Sequence, residues 1–188
     1  AASGQLSRAF TANVEAAEGA VRMAGYDEAA HHYEEALALI ESAPEGVDVV
    51  GLVVAAADAV LTTGHLYRSL ALLREQQDQL SPGAPVDDRA RLLLAIGSTA
   101  FYAGLDAEAA EASAESLRLI GDARTVLRAE AEALGARIAS DLRNDDEALE
   151  RGELAAAIAA QLGAVHVVAD VTATLTRLVA RSGGADLR

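Results

Sequence analysis

Ala24-Gly25-Tyr26-Asp27-Glu28-Ala29-Ala30-His31-His32-Tyr33-Glu34-Glu35-Ala36-Leu37-Ala38-Leu39 opens on a turn and runs on as a helix, and its Ala29 begins a series. A small residue returns at Ser69, Ala109 and Ala148, in steps of 40, 40 and 39. A second series, one helix earlier, runs Ala17, Ala57, Gly97, Ala136 and Thr176, in steps of 40, 40, 39 and 40. Between the two lie the turn-like residues Gly25, Gly64, Gly104, Asn144 and Gly184. A fixed period of this length, helical throughout, marks stacked helix-turn-helix units, each burying its apolar face against its neighbours. The expected fold is all-α, an α-solenoid of antiparallel helix pairs with nine helices.

The pairs read along the chain as follows. The first covers about 5–23 and 27–41, with Asp27 as a plausible N-cap, because a short acidic side chain accepts from the free amides of a first turn. The second covers about 47–63 and 66–80, and Ser81-Pro82-Gly83-Ala84-Pro85 is the clearest break in the chain. The third covers about 87–103 and 106–120, the fourth about 123–142 and 145–162, and a ninth helix runs about 165–181. The short connections favour antiparallel neighbours. No composition shift marks a second domain, so 1–188 reads as one solenoid domain. The chain begins Ala-Ala-Ser and ends shortly after Ser182-Gly183-Gly184, where a next helix is due, so both ends read as cut from a larger multidomain protein.

The small residues have a direct cause. Helices joined by a tight turn approach closely only where the facing side chains are small, and each series supplies one such residue per pair. A larger side chain there would force the helices apart, at about 1–3 kcal/mol. Leu70, Leu73, Leu92, Ile96, Leu117, Leu154 and Ile158 flank these points and would fill the seams.

Composition bounds the chemistry. Fifteen Lys plus Arg, all of them Arg, against 29 Asp plus Glu give a net charge of −14, which argues against holding a phosphate backbone. The absence of lysine excludes a P-loop lysine and a Schiff base. The absence of cysteine excludes disulfides and thiolate metal sites and is compatible with the cytosol. No apolar run has membrane-spanning length.

The quoted stretch resembles the second half of a tetratricopeptide repeat, in the aromatic Tyr26 before an acidic pair, the small Ala29, the aromatic Tyr33 and the small Ala36. Later repeats depart from that pattern: Gln76 and Ser116 stand where Ala36 does, and Leu73, Ser113 and Gly152 where Tyr33 does. The period near forty is also longer than the roughly 34 of the standard repeat. This lengthened form resembles the helical-repeat region of large LuxR-type transcriptional regulators with an ATPase module, the MalT-like class of actinobacteria. That resemblance implies a nucleotide-binding domain before the repeats and a DNA-binding helix-turn-helix after them, with the repeats as sensor and oligomerisation arm.

No catalytic constellation emerges. His31 and His32 are adjacent and so point about 100° apart on a helix, unlike an i, i+4 metal pair. His65 and His166 lack an acidic partner at a convincing spacing. Asp87-Asp88 and Asp145-Asp146-Glu147 each stand at a helix start, where acids interact favourably with the macrodipole. The expectation is a non-enzymatic domain without metal or cofactor.

The candidate site is the concave face that the first helix of each pair lines in tetratricopeptide solenoids. Alignment on the small residues projects Glu18, Arg22 and Asp58 inward, then Arg91, Ser98 and Tyr102, then Glu130 and Arg137, and finally Arg177 and Arg181. The later arginines form a row able to receive a carboxylate, a phosphate or an acidic peptide through bidentate hydrogen bonds. The expected occupant is a protein or peptide partner, or a small effector, with no nucleic acid or membrane contact. Val165, Val167, Val168, Val171, Leu175, Leu178 and Val179 place apolar side chains on more than one face of the ninth helix, which suggests self-association there.

Overall fold

In the computed structural model, which describes residues 2–183, the chain forms nine α-helices and one 3₁₀ turn, with no strand among the described residues. The helices are α1 (Ala2–Arg22), α2 (Tyr26–Leu37), α3 (Val49–Thr62), α4 (Leu66–Gln79), α5 (Val86–Tyr102), α6 (Asp106–Ile120), α7 (Val126–Asp141), α8 (Asp145–Leu162) and α9 (Val165–Gly183). Two compact units divide within the Ser81–Pro85 break, Ala1–Pro82 with α1 to α4 and Gly83–Arg188 with α5 to α9. In the first unit each helix packs on the next. In the second, each helix again packs on the next, and α7 also touches both α5 and α9, so the three odd helices lie side by side.

Four helix boundaries depart from the sequence reading for local reasons. Asp27 is not the cap of α2: Gly25 holds that position, and Asp27 and Glu28 occupy the first turn instead, where their charge meets the positive end of the helix. α2 stops at Leu37 and the chain tightens into the 3₁₀ turn Ile40–Ser42, because Ala43 before Pro44 is held extended at ψ 147°. α3 starts at Val49, where the Asp48 carboxylate accepts from Gly51 N at 2.8 Å. α7 starts at Val126, where Thr125 Oγ1 accepts from Arg128 N at 3.1 Å.

The turn inside each pair is one structure repeated. Ala24, Gly64, Gly104 and Arg143 all have positive φ, at 57°, 86°, 71° and 64°. The amide of the following residue donates back across the helix end each time: Gly25 to Ala20 O, His65 to Val60 O, Leu105 to Ala100 O and Asn144 to Ala139 O, at 2.9 to 3.2 Å. The positive-φ residue donates to the carbonyl three before it, from Ala24 to Val21 and from Gly64 to Leu61, for example. This is the Schellman closure, which satisfies the otherwise orphaned carbonyls at a helix C-terminus. The turn-like series read from sequence thus mixed two positions. Gly64 and Gly104 are the left-handed residues, whereas Gly25 and Asn144 are the caps that follow them. Gly184 lies outside the described residues.

Both small-residue series sit where helices touch. Ala17, Ala57, Gly97 and Ala136 are buried, as are Ala29, Ser69, Ala109 and Ala148. A Cβ added to Gly97 would lie 3.3 Å from both Ala109 O and Ser113 N, so α5 and α6 meet there nearly backbone to backbone. Thr176 departs from its series: it is exposed, and Thr174 is the buried threonine of α9. At Gly152, which replaces the aromatic of the first repeat, a Cβ would lie 2.7 Å from Leu175 Cδ2. Leu175 of α9 packs directly over Gly152 and leaves no room for a side chain there.

Candidate functional site

In the second unit, the row of odd helices brings three chemistry-bearing residues together. Arg137 of α7 donates from Nη1 to the Tyr102 hydroxyl of α5 at 3.0 Å and lies 3.5 Å from Asp170 Oδ1 of α9. Its guanidinium also stands 5.8 Å from the centroids of the Phe101 and Tyr102 rings, within cation–π range. Two turns of α7 earlier in the row, His166 Nε2 of α9 lies 2.9 Å from Glu130 Oε1. His166 therefore does have an acidic partner, supplied by tertiary packing at a separation of 36 residues rather than by local spacing.

The rest of the arginine row is spoken for within the unit. Arg181 pairs with Asp145 at the start of α8 and donates to Ser140 O at the end of α7, closing the α7–α8 turn. Arg177 donates to Thr174 Oγ1 at 3.2 Å, and Arg91 stands 3.6 Å from Asp88 on its own helix. Ser98 is half-buried on α5. The structure thus joins Tyr102 with Arg137 and places Glu130 beside His166, whereas Arg177 and Arg181 hold other partners.

A charged network that the sequence reading missed lies behind this row. Glu132 is only 4% exposed, and its carboxylate accepts from Arg128 Nη2 and Arg151 Nη1, both at 3.1 Å. Arg151 also donates to Glu147 at 2.8 Å, while Arg128 reaches Gly121 O and Asp122. The neighbouring carboxylates hold the Arg151 guanidinium more firmly protonated than an ordinary arginine, despite its partial burial. The Arg128–Glu132 and Glu147–Arg151 spacings of four were legible in the sequence. The Glu132–Arg151 link that ties α7 to α8 was not.

In the first unit, Glu18 and Asp58 are exposed on α1 and α3, and Arg22 is exposed on the last turn of α1. Glu18 borders a cavity of about 460 Å³ whose apolar wall includes Phe10, Val14, Val47, Leu52 and Ala55. Tyr33, 5% exposed, also lines it. Burial pushes the Tyr33 phenol above its ordinary value, and the nearby Glu18 and Asp58 carboxylates push it further the same way.

His31 and His32, with ring centroids 5.6 Å apart, do not converge on a shared ligand position, and His32 Nδ1 instead lies 3.0 Å from Asn13 Oδ1. Among the described residues no group of three or more His, Cys, Asp or Glu is placed to hold a metal, and no helix is long and apolar enough to cross a membrane.

No family model matches the chain, and no curated protein matches it. Among solved structures, the crystal structure of MamA protein is similar, with a TM-score of 0.58 and 15% identity, over 95% of this chain and 87% of that one. MamA is a tetratricopeptide-like helical-repeat protein. The fold here is tetratricopeptide-like. Within that tetratricopeptide-like frame the resemblance read from the first repeat has a structural basis, since Ala29, Tyr33 and Ala36 are all buried on α2.

Proposed function

We propose that this chain is a non-catalytic interaction and ligand-sensing repeat region of a cytoplasmic LuxR-type transcriptional regulator of the MalT-like class. In such a protein the repeats receive a partner or effector and pass its presence to flanking nucleotide-binding and DNA-binding modules. The observation that carries the reading is the repeat itself. A lengthened tetratricopeptide-like unit recurs near forty residues with the same Schellman turn at Ala24, Gly64, Gly104 and Arg143. No catalysis or cofactor is assigned: the chain has neither lysine nor cysteine, and Arg137 and Arg181 are paired internally.

The faces proposed to receive the partner or effector are the Glu18, Arg22 and Asp58 side of the first unit and the Arg91, Ser98, Tyr102, Glu130, Arg137, Arg177 and Arg181 side of the second. Self-association through α9 has narrower support. Val167, Val171 and Leu178 are buried within the unit, and Val165 and Val179 are the large apolar side chains that α9 leaves exposed.

The full-length reading frame tests the proposal. A P-loop module upstream and a helix-turn-helix downstream are expected, together with DNA binding that changes when 1–188 is deleted from the full protein. Absence of both modules overturns it. A second reading, a stand-alone scaffold for a peptide or partner protein, draws support from the likeness to MamA over 87% of that protein's chain. A catalytic cyclase or kinase module beside the repeats would point instead to the repeat region of a signalling enzyme.

A further inference from the structure

The first unit contains an apolar cavity whose charged groups are all of one sign. Its wall is built from Phe10, Val14 and Leu52, with Pro44 and Val47 from the segment that follows α2. At its mouth stand Glu15 and Glu18, both exposed on α1 and neither with a basic partner among the described residues. Arg22, one turn beyond Glu18, extends over Gly19, where an added Cβ would meet its Nη2 at 3.7 Å, and does not line the cavity. Asp48 is a third acid at the mouth, and no arginine lines the space.

Tyr33 adds an independent signal. Its side chain is buried to 5% exposure and lines the cavity near Glu18, yet its hydroxyl makes no hydrogen bond among the described residues. The hydroxyl opens on the cavity rather than into the packed interior, so an occupant able to hydrogen-bond can meet it there. The charge around it selects the occupant. Residues 1–82 carry four arginines against twelve acids, a net of −8, so an anion is repelled and a neutral apolar group would desolvate carboxylates without compensation.

An aliphatic stem ending in a cationic donor satisfies both halves of the site. Lysine and arginine side chains have that form, with methylenes that lie on apolar surface and a head that seeks carboxylates. The mouth is open on the side of the exposed Thr11, Glu15 and Asp48, so the occupant's remainder leaves into solvent rather than being enclosed. We infer that this cavity receives a lysine or arginine side chain of a partner polypeptide, its stem on Phe10, Val14 and Leu52 and its head between Glu15, Glu18 and the Tyr33 hydroxyl. The inference rests on the reading of the repeats as a protein-interaction region and assigns the partner's chemistry at one place.

Titration calorimetry on the whole chain tests it, using a blocked decapeptide of alternating lysine and leucine and the same peptide with glutamate in place of lysine. The lysine peptide is expected to bind and the glutamate peptide to show no binding. Glu18→Gln and Tyr33→Phe should each weaken binding about fivefold or more, whereas Glu45→Gln, an exposed acid off the cavity, should change it less than about twofold. Should Tyr33→Phe fail to fold, Glu15→Gln, at an exposed position, takes its place. Failure of the lysine peptide to bind, equal loss in Glu45→Gln, or binding of a free alkylamine without binding of the peptide would each overturn the assignment. None of these outcomes touches the regulator reading, which the modules in the full-length frame decide separately.

Discussion

Ser69 donates its Oγ to the Ala57 carbonyl at 2.8 Å, so the two series of small residues that repeat along the chain meet in one hydrogen bond between α3 and α4. The next pair makes the same approach with Gly97 against Ala109. Neither site has room for a longer side chain, since Ala57 is 1% exposed and Ala109 fully buried. Ala57→Leu and Ala109→Leu are therefore expected to cost about 1–3 kcal/mol each through overpacking. That corresponds to a drop in melting temperature of roughly 2–4 °C per kcal/mol for a chain of this size. Thermal unfolding followed by circular dichroism checks it, and two neutral variants would show that the helix register is wrong.

The four Schellman turns make a paired prediction of opposite sign. Gly64 and Gly104 occupy the left-handed position without strain, whereas Ala24 and Arg143 hold it as L-residues with a Cβ. Gly64→Ala and Gly104→Ala should destabilise by about 1 kcal/mol. Ala24→Gly should stabilise by about 0.5 kcal/mol, because relief of the strain exceeds the added entropy of an unfolded glycine. Denaturant midpoints measured for the three variants decide it, and a stabilising Gly64→Ala would contradict the turn assignment.

The fold was legible because its signals are local. Small residues, helix starts rich in acids and turn glycines each act within a few positions, and α6 and α8 end where the sequence places them. The site was less legible because its partners come from elsewhere in the chain. Arg137 reads from sequence as a free inward arginine, and only packing of α5 and α9 against α7 delivers Tyr102 and Asp170 to it. Glu132 was hidden for the same reason, lying among alanines on a helix that is buried over most of its length. The cavity of the first unit depends on how the chain turns at Pro44, which no periodicity encodes.

Glu132 is buried between two arginines, so its removal takes away the carboxylate that Arg128 and Arg151 share and leaves them only Asp122 and Glu147 at the rim. Glu132→Ala is expected to cost about 3 kcal/mol or more, the range for breaking one side of a buried pair. The loss should persist at high salt, because buried charges are screened little. Urea unfolding at low and high ionic strength measures both, and a salt-sensitive loss below about 1 kcal/mol would mean the network behaves as a surface one.

Tyr33 should be recognisable in an alkaline titration. Burial and the Glu18 and Asp58 charges raise its phenol above the ordinary value, so the folded chain keeps a proton that the unfolded chain has released. Stability from this group is present below the ordinary tyrosine value and falls as pH rises through the raised one. Ultraviolet absorbance of the four tyrosines is expected to show a late component that disappears in Tyr33→Phe. Glu18→Gln should move that component toward lower pH, and a wild-type titration with all four tyrosines at the ordinary value would refute the placement.

Arg137 spans three helices with one planar group. It donates to Tyr102, faces Asp170, and stacks near two rings, while its side chain is 15% exposed. A lysine keeps the charge but offers a single compact head, which cannot meet the hydroxyl and the carboxylate in a fixed fork while lying along the rings. Arg137→Lys is thus expected to destabilise by about 1–2 kcal/mol, and Asp170→Asn by a similar amount through loss of the charge partner. If Asp170 is what occupies the arginine, phosphate or citrate should leave the wild-type melting temperature unmoved yet raise that of Asp170→Asn, where the guanidinium is freed for an anion. A wild-type protein stabilised by those anions as strongly as the variant would show that the arginine is available despite Asp170 and that the row acts as an anion clamp.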